Sequence, residues 1–259
     1  MIFVDSHVHL EDHRYDNDRE DVLKRAQENN VGIIATVCCL TKTGDADFTV
    51  NLLEREGIYG IIGIHPHDAS FYNEELAGYL RKVLQHPKII AIGEIGLDYF
   101  YKHSPVQTQQ DVFTQQIALA KELKKPIVVH SRDAASDTLE ILKWNYKESE
   151  MAGVNGIMHC FSGDLDMAIQ CISYKFLISF SGVITFENAG KLREIVKIIP
   201  LESMLSETDA PYLSPVPFRG KRNEPAYVVK VTNKIAEIKQ MPVKEVAEKL
   251  YNNFNLLVE

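Results

Sequence analysis

Short, largely apolar runs recur along this chain, and several carry a polar residue at or near their C-terminal end. They cover residues 2–10 (IFVDSHVHL), 31–39, 58–65, 88–96, 126–130, 156–163, 176–182 and 204–212. Runs rich in Val and Ile without alternation are the pattern of strands buried on both faces. Between them lie stretches with apolar residues every three or four positions. One spans 16–30, where Val22, Leu23 and Ala26 form a stripe. Others are QQDVFTQQIALAKELKK, FENAGKLREIVKIIP and a last helix, PVKEVAEKLYNNFNLLVE, that opens near Pro242. Strands alternating with helices call for a parallel sheet with right-handed crossovers. Eight such units in about 250 residues predict an α/β fold of the closed (β/α)8 (TIM) barrel type. An open doubly wound sheet is the competing topology, but no G-x-G-x-x-G follows the first run.

Composition adds little to the fold and more to the function. Of 259 residues, 45% are hydrophobic, enough for one large core, and no Gly-, Ser- or Pro-rich linker divides the chain. A single domain over residues 1–259 is expected. The formal net charge of −8 argues against a broad basic face for duplex nucleic acid, while leaving room for a small basic pocket. A carboxylate as early as Asp5 leaves no signal-peptide core, and no apolar stretch approaches the ~18 residues of a membrane span. The cysteines, Cys38, Cys39, Cys160 and Cys171, form no C-x-x-C pair. Neither a disulfide framework nor a thiolate metal site is expected, and a reducing cytoplasm is the simplest location.

Barrel enzymes draw their catalytic groups from the C-terminal ends of different strands. His7 and His9 close the first run and His65 the third. Glu94 ends the fourth in phase with Ile90 and Ile92, and His130 ends the fifth in phase with Val128. His159 follows Ile157 by two, and Asp209 follows Leu205 and Glu207 in the same phase. Strict alternation puts Asp5, His7 and His9 on one face above Phe3, with Ile2, Val4 and Val8 opposite. Taken singly, each polar end reads as a local hydrogen-bonding group. Together on one rim, in a chain with nine histidines, they read as a site, and His13, His86 and His103 are left to solvent. Imidazoles with carboxylates suit zinc, manganese, iron or nickel. Four imidazoles and two carboxylates are too many for one open catalytic ion, so two divalent ions sharing a carboxylate fit better. That is machinery for hydrolysing an ester, amide or phosphoester.

The motifs DSHVHL, GIHPH, GEIGLDY, PIVVHSRDA, HCFSG, SETDAPYL and RGKRNEP stand in the order found in TatD-related deoxyribonucleases, which the whole chain resembles. That family belongs to the metal-dependent amidohydrolase-like barrels. The resemblance implies one divalent ion on His7, His9, Glu94 and Asp209, and a second on Glu94, His130 and His159. No lysine stands at a strand end to replace Glu94 as the bridge. Asp209 would orient the attacking water and accept its proton, which makes Asp209 and Glu94 the catalytic pair. The implied cofactors are two ions of zinc, manganese or magnesium. The implied substrate is DNA, or RNA, trimmed from single-stranded ends, with neither a membrane nor an obligate protein partner. Local charge agrees with a phosphate substrate: Arg219, Lys221 and Arg222 crowd into RGKR, and Arg132 lies two residues past His130. The alternatives are a solvated loop for RGKR and an ion pair with Asp133 or Asp98 for Arg132. His65 would touch substrate or brace a ligand, and Asp98 and Tyr99 would orient a histidine or meet a base. Asp5 and Glu207 would hydrogen-bond within the barrel, and Phe100, Tyr101 and Tyr212 offer stacking surfaces. Hydrolysis of aminoacyl-tRNA, lactones, amides or phosphomonoesters on the same site stays open. A binding-only barrel would have lost ligands, and none of the six is missing.

Overall fold

In the computed structural model, which describes residues 1–148 and 153–258, every apolar run carries a strand. The strands are β1 (Phe3–Val8), β2 (Val31–Cys39), β3 (Ile58–Gly63), β4 (Ile89–Asp98), β5 (Ile127–Arg132), β6 (Gly156–Met158), β7 (Phe176–Phe180) and β8 (Met204–Ser206). Between and after them run α1 (Arg19–Glu28), α2 (Asp47–Leu52), α3 (Glu74–Val83), α4 (Val106–Leu123), α5 (Ala135–Tyr146), α6 (Leu165–Ser173), α7 (Gly190–Ile198), α8 (Val228–Lys239) and α9 (Val243–Asn255). The strands form one parallel sheet in sequence order from β1 to β8. A bridge between Val8 and Ala210 closes it, helped by bonds from His9 N to Ala210 O (2.8 Å) and Asp209 N to His7 O (3.0 Å). The fold is a (β/α)8 barrel.

Its interior is filled by one residue set: Val4, Ile33, Ile61, Val128, Ile157, Leu177 and Leu205. Phe254 and Leu257, on and just after α9, join that set and floor the barrel. The opposite faces, with Ile34, Ile62, Ile127, Val129 and Ile178, pack under the helices. Burying each such side chain stabilises the fold by about 1.5–3 kcal/mol. Among the described residues no helix is long and apolar enough to cross a membrane.

Several boundaries differ from the sequence pattern. Strands β6 and β8 stop after three residues. Their continuations nevertheless still bond a neighbour, His159 N to Val129 O (3.1 Å) and Glu207 N to Phe180 O (3.0 Å). Helix α4 begins at Val106 and stops where Lys124 takes a left-handed conformation (φ 52°). The last helix ends at Asn255; Glu259, to which the pattern extended it, lies outside the described residues.

Simple alternation fails in the two strands that matter most. Phe3 and Val8 share the helix-facing cluster although five positions apart, and the β1–β2 register shifts between Asp5 and Val8. Val4 is inside, and Asp5 is not in line with His7: it accepts from Thr208 N (2.8 Å) and the Thr208 hydroxyl (2.6 Å). In β4, Ile92 and Ile95 both face the helices, and the register shifts between them. Glu94 therefore turns inward through an irregularity, and not through the phase of Ile92. Such extra residues re-aim side chains at barrel rims.

Candidate metal centre

The carboxylate of Glu94, 4% exposed, sits at the middle of the barrel mouth. Gly93 before it carries no side chain, and a Cβ there would stand 2.7 Å from the Val128 Cβ. Glu94 Oε1 lies 2.7 Å from His130 Nδ1, 3.5 Å from His65 Nε2 and 3.6 Å from His159 Nε2. Its Oε2 faces His7 Nε2 at 3.4 Å and His9 Nε2 at 4.0 Å. Asp209 follows β8 with φ at 54°, in the left-handed region, which turns the chain just past the strand end. Its Oδ1 stands 3.6 Å from His9 Nε2 and 3.9 Å from both His7 Nε2 and His159 Nε2. The six residues expected as ligands thus converge, and His65 converges with them. Their atoms fall into three overlapping groups: His7 with His9 and Asp209, His7 with Glu94 and His159, and His65 with Glu94 and His130.

Three of the imidazoles turn their far nitrogen to an outer carboxylate. His9 Nδ1 meets Glu11 Oε1 at 3.2 Å, and His130 Nε2 meets Asp98 Oδ2 at 3.0 Å. His159 Nδ1 approaches Glu207 Oε1 at 3.0 Å, an ionic contact without good hydrogen-bond alignment. Metal-binding histidines are held this way, because the outer carboxylate fixes the tautomer and raises ligand basicity. His7 has no such partner. Its two ring nitrogens are buried without a hydrogen bond, and its ring stacks on His159 with centroids 3.5 Å apart. An unpartnered buried imidazole beside two carboxylates is costly in isolation and is satisfied by a cation. The donor set therefore fits divalent metal.

The electrostatics agree. Burial alone would raise the pKa of Glu94, but the charges of His159 and His65 and a hydrogen bond from His130 hold it well below the usual range. Asp209 is likewise buried yet lowered, through His9, His159 and His7. Burial opposes the charge on His130, but Asp98 and Glu94 hold its pKa at about 9. The Glu207 and Glu94 charges do the same for His159, again to about 9. His7 is lowered by burial and by His159. Without a cation, protons on the surrounding imidazoles balance ionised carboxylates.

Residues expected around the centre are more dispersed. His65 caps the turn that follows β3, its Nδ1 accepting from His67 N at 3.1 Å. Arg132 is exposed and lies over the rings of Phe100 (4.1 Å) and Tyr101 (4.8 Å), and is ion-paired with neither Asp133 nor Asp98. Arg219 lies over Phe186 at 4.1 Å, and Lys221 is exposed. Arg222 is not brought to the centre: it pairs with Asp18 at 2.6 Å and donates to Arg14 O at 2.6 Å. Tyr99 turns to Asp137 (2.7 Å), away from the mouth. Sequence reasoning passed over Glu11 and His67. His67 Nε2 shares Asp98 Oδ2 with His130, at 3.0 Å. The available signal was spacing, since each follows an inward histidine by two. The four cysteines are free, and Cys160 lies with His159 and Glu207 in a further group close enough to share an ion.

Known proteins resemble this chain throughout. Residues 4–259 match the family described as TatD related DNase. The uncharacterized metal-dependent hydrolase YabD of Bacillus subtilis is 45% identical over 247 residues, covering 95% of this chain and 94% of its own. YcfH of Escherichia coli K12, also an uncharacterized metal-dependent hydrolase, is 38% identical over 98% of this chain and 94% of its own. The crystal structure of YjjV, a TatD homologue from E. coli K12, superposes with a TM-score of 0.89 at 30% identity, covering 98% of this chain and 97% of the other. With a rim of histidines and carboxylates that fits divalent metal, and relatives of this kind along its whole length, the chain belongs to the TatD-related DNase family and is a metal-dependent hydrolase.

Proposed function

We propose that this protein cleaves phosphodiester bonds at the ends of single-stranded nucleic acid, DNA foremost, with two divalent cations held by His7, His9, Glu94, His130, His159 and Asp209. The observation that carries the reading is the division of Glu94: Oε1 faces His65, His130 and His159, whereas Oε2 faces His7 and His9. One carboxylate can thus serve two neighbouring groups of imidazoles. When bound, the cations supply Lewis acidity and bring the pKa of a water ligand towards neutrality. Asp209, ionised and open to the mouth, would orient the attacking water and accept its proton. Glu11, Asp98 and Glu207 keep the imidazoles aimed while charge moves. His65 braces Glu94, and Arg132, Arg219 and Lys221 offer donors to phosphate oxygens.

The test is reconstitution. Metal is stripped with a chelator and returned singly as zinc, manganese or magnesium, and mononucleotide release from labelled single-stranded DNA is followed. A dinucleotide, a nucleoside monophosphate and an aminoacyl-tRNA serve as competing substrates. Release from DNA returns with metal and falls at least ~100-fold in Glu94→Gln, as expected for loss of a central charged group. Full activity in Glu94→Ala, or faster turnover of aminoacyl-tRNA than of DNA, refutes the reading.

A further inference from the structure

The chain has nine arginines. Six are paired with carboxylates: Arg14 with Asp12, Arg19 with Asp16, Arg25 with Glu224, Arg55 with Glu20, Arg81 with Glu122 and Arg222 with Asp18. Arg193 donates to the carbonyls of Ile184, Phe186 and Glu187. The last two, Arg132 and Arg219, have neither kind of partner among the described residues, and each has its guanidinium carbon over an aromatic ring: Arg132 over Phe100 and Tyr101, Arg219 over Phe186. In a protein with 36 acidic residues, exposed guanidiniums without a carboxylate are unexpected. A guanidinium held over a ring by cation–π attraction has no carboxylate using its N–H donors, so they are available to an anion.

Both sit at the C-terminal rim, in different sectors. Arg132 ends β5, pairs in register with Asp98, and lines a cleft of about 290 Å³ that His159 bounds on its other side. Arg219 lies in the segment between β8 and α8, and β6 and β7 separate it from β5 around the barrel. Each ring platform is itself anchored. Asp98 Oδ1 accepts from Phe100 N (3.1 Å) and Tyr101 N (2.8 Å), while its Oδ2 holds His130. Arg193 donates to Phe186 O at 2.5 Å, and Val216 N bonds the Thr185 hydroxyl at 2.9 Å, tying the Phe186 loop to the one that carries Arg219.

We infer that Arg132 on Phe100 and Tyr101, and Arg219 on Phe186, are two separate phosphate clamps that grip the backbone of one single-stranded oligonucleotide at phosphates other than the one being cut. The inference rests on the phosphodiester reading above and deepens it: the substrate is a strand with phosphates beyond the scissile one, not a small ester. At the Arg132 clamp, the exposed rings of Phe100 and Tyr101 also offer an adjacent unpaired base an aromatic surface.

Two measurements test it on the metal-loaded protein. The first compares a small diester, bis(4-nitrophenyl) phosphate, with single-stranded oligonucleotides of two, four and eight nucleotides. In the unaltered enzyme kcat/KM rises with length, and in Arg132→Gln and Arg219→Gln the loss on the octamer exceeds that on the small diester at least tenfold, mainly through KM. Equal losses on both substrates, or no length dependence, overturn the clamps. The second is anisotropy of a labelled octamer across a salt series, which requires no turnover. Each variant lowers the slope of log affinity against log salt by about 0.7, the value for one single-strand phosphate contact. Unchanged slopes in both variants overturn the inference. Salt-dependent octamer binding, weakened by both substitutions in an enzyme that cuts no diester, supports the clamps and refutes the phosphodiester reading alone. Metal content and thermal midpoint, measured alongside, identify any variant that has lost the fold.

Discussion

At the scale of single residues, the centre is a balance between buried carboxylates and the charge that surrounds them. Asp98 shows how far that balance reaches. One of its oxygens takes His130 and His67, and the other takes the backbone of Phe100 and Tyr101. Asp98→Asn leaves the shape but exchanges an acceptor for a donor, so His130 loses its tautomeric anchor. Metal affinity is expected to drop 10–100-fold, the usual effect of losing such an outer partner. Titration of the metal-free variant measures it, and an affinity equal to the parent's would show that Asp98 orients nothing. Protons supply a second prediction. His130 and His159 are held at about 9 against an ordinary 6.5. Because the folded value is the higher, their contribution to the stability of the metal-free protein is complete below 6.5 and disappears as pH rises through about 9. Metal requires the neutral imidazole, so uptake at pH 7 must expel protons. Calorimetry of metal binding in two buffers of different ionisation enthalpy should show more protons released at pH 7 than near pH 10, where the imidazoles are already neutral. Buffer-independent heats at pH 7 would contradict the assignment.

At the scale of elements, the site depends on how closely β4 and β5 can approach. Gly96 has φ at 136°, and a Cβ there would stand 2.1 Å from the carbonyl oxygen of His130. Gly96→Ala therefore overpacks the pair, roughly 1–3 kcal/mol, and forces an L-residue into the left-handed region, roughly another 1–2 kcal/mol. The thermal midpoint should fall by about 2–4 °C per kcal/mol lost, and activity should fall with it as His130 is pushed off Glu94. An unaltered midpoint would mean that the strands have slack. This kind of constraint explains what the sequence made legible. Strand β2 was readable to the residue, since Val31–Cys39 is an unbroken apolar run with a regular ladder. His130 and His159 were readable too, because Val128 and Ile157 keep their strands in phase with the interior. His7 and Glu94 were identified by residue type, but the alternation invoked for them is broken by register shifts in β1 and β4, which depend on neighbouring strands and leave no local pattern. Glu11 was within reach, two residues past His9, whereas the contact of His67 with Asp98 spans 31 positions and leaves no local pattern. The pairing of Arg222 with Asp18 was equally invisible, 204 positions apart in the chain.

At the scale of the whole molecule, the barrel has a seam, and the candidate centre lies across it. Seven neighbouring pairs, from β1–β2 to β7–β8, share proper ladders, whereas β8 returns to β1 through the single Val8–Ala210 bridge and a few individual bonds. His7 and His9 stand on the β1 side and Asp209 on the β8 side, with Oδ1 of Asp209 within 3.9 Å of both imidazoles. A cation held by these three residues would fasten the first strand to the last. Ligand binding to the folded state alone stabilises by about 2.7 kcal/mol at a hundred times the dissociation constant. For a domain of this size that is a rise of roughly 5–11 °C in thermal midpoint. The gain should be local in origin. The amides of His9 and Asp209, which bond across the seam to Ala210 and His7, should exchange hydrogen faster after chelation, while the amide of Ile34, which bonds to Gly57, should not change. Uniform loss of protection around the barrel would instead make metal a global stabiliser with no special hold on the seam. No change at His9 and Asp209 would separate the centre from barrel closure altogether, leaving the floor built by Phe254 and Leu257 to hold the ring shut.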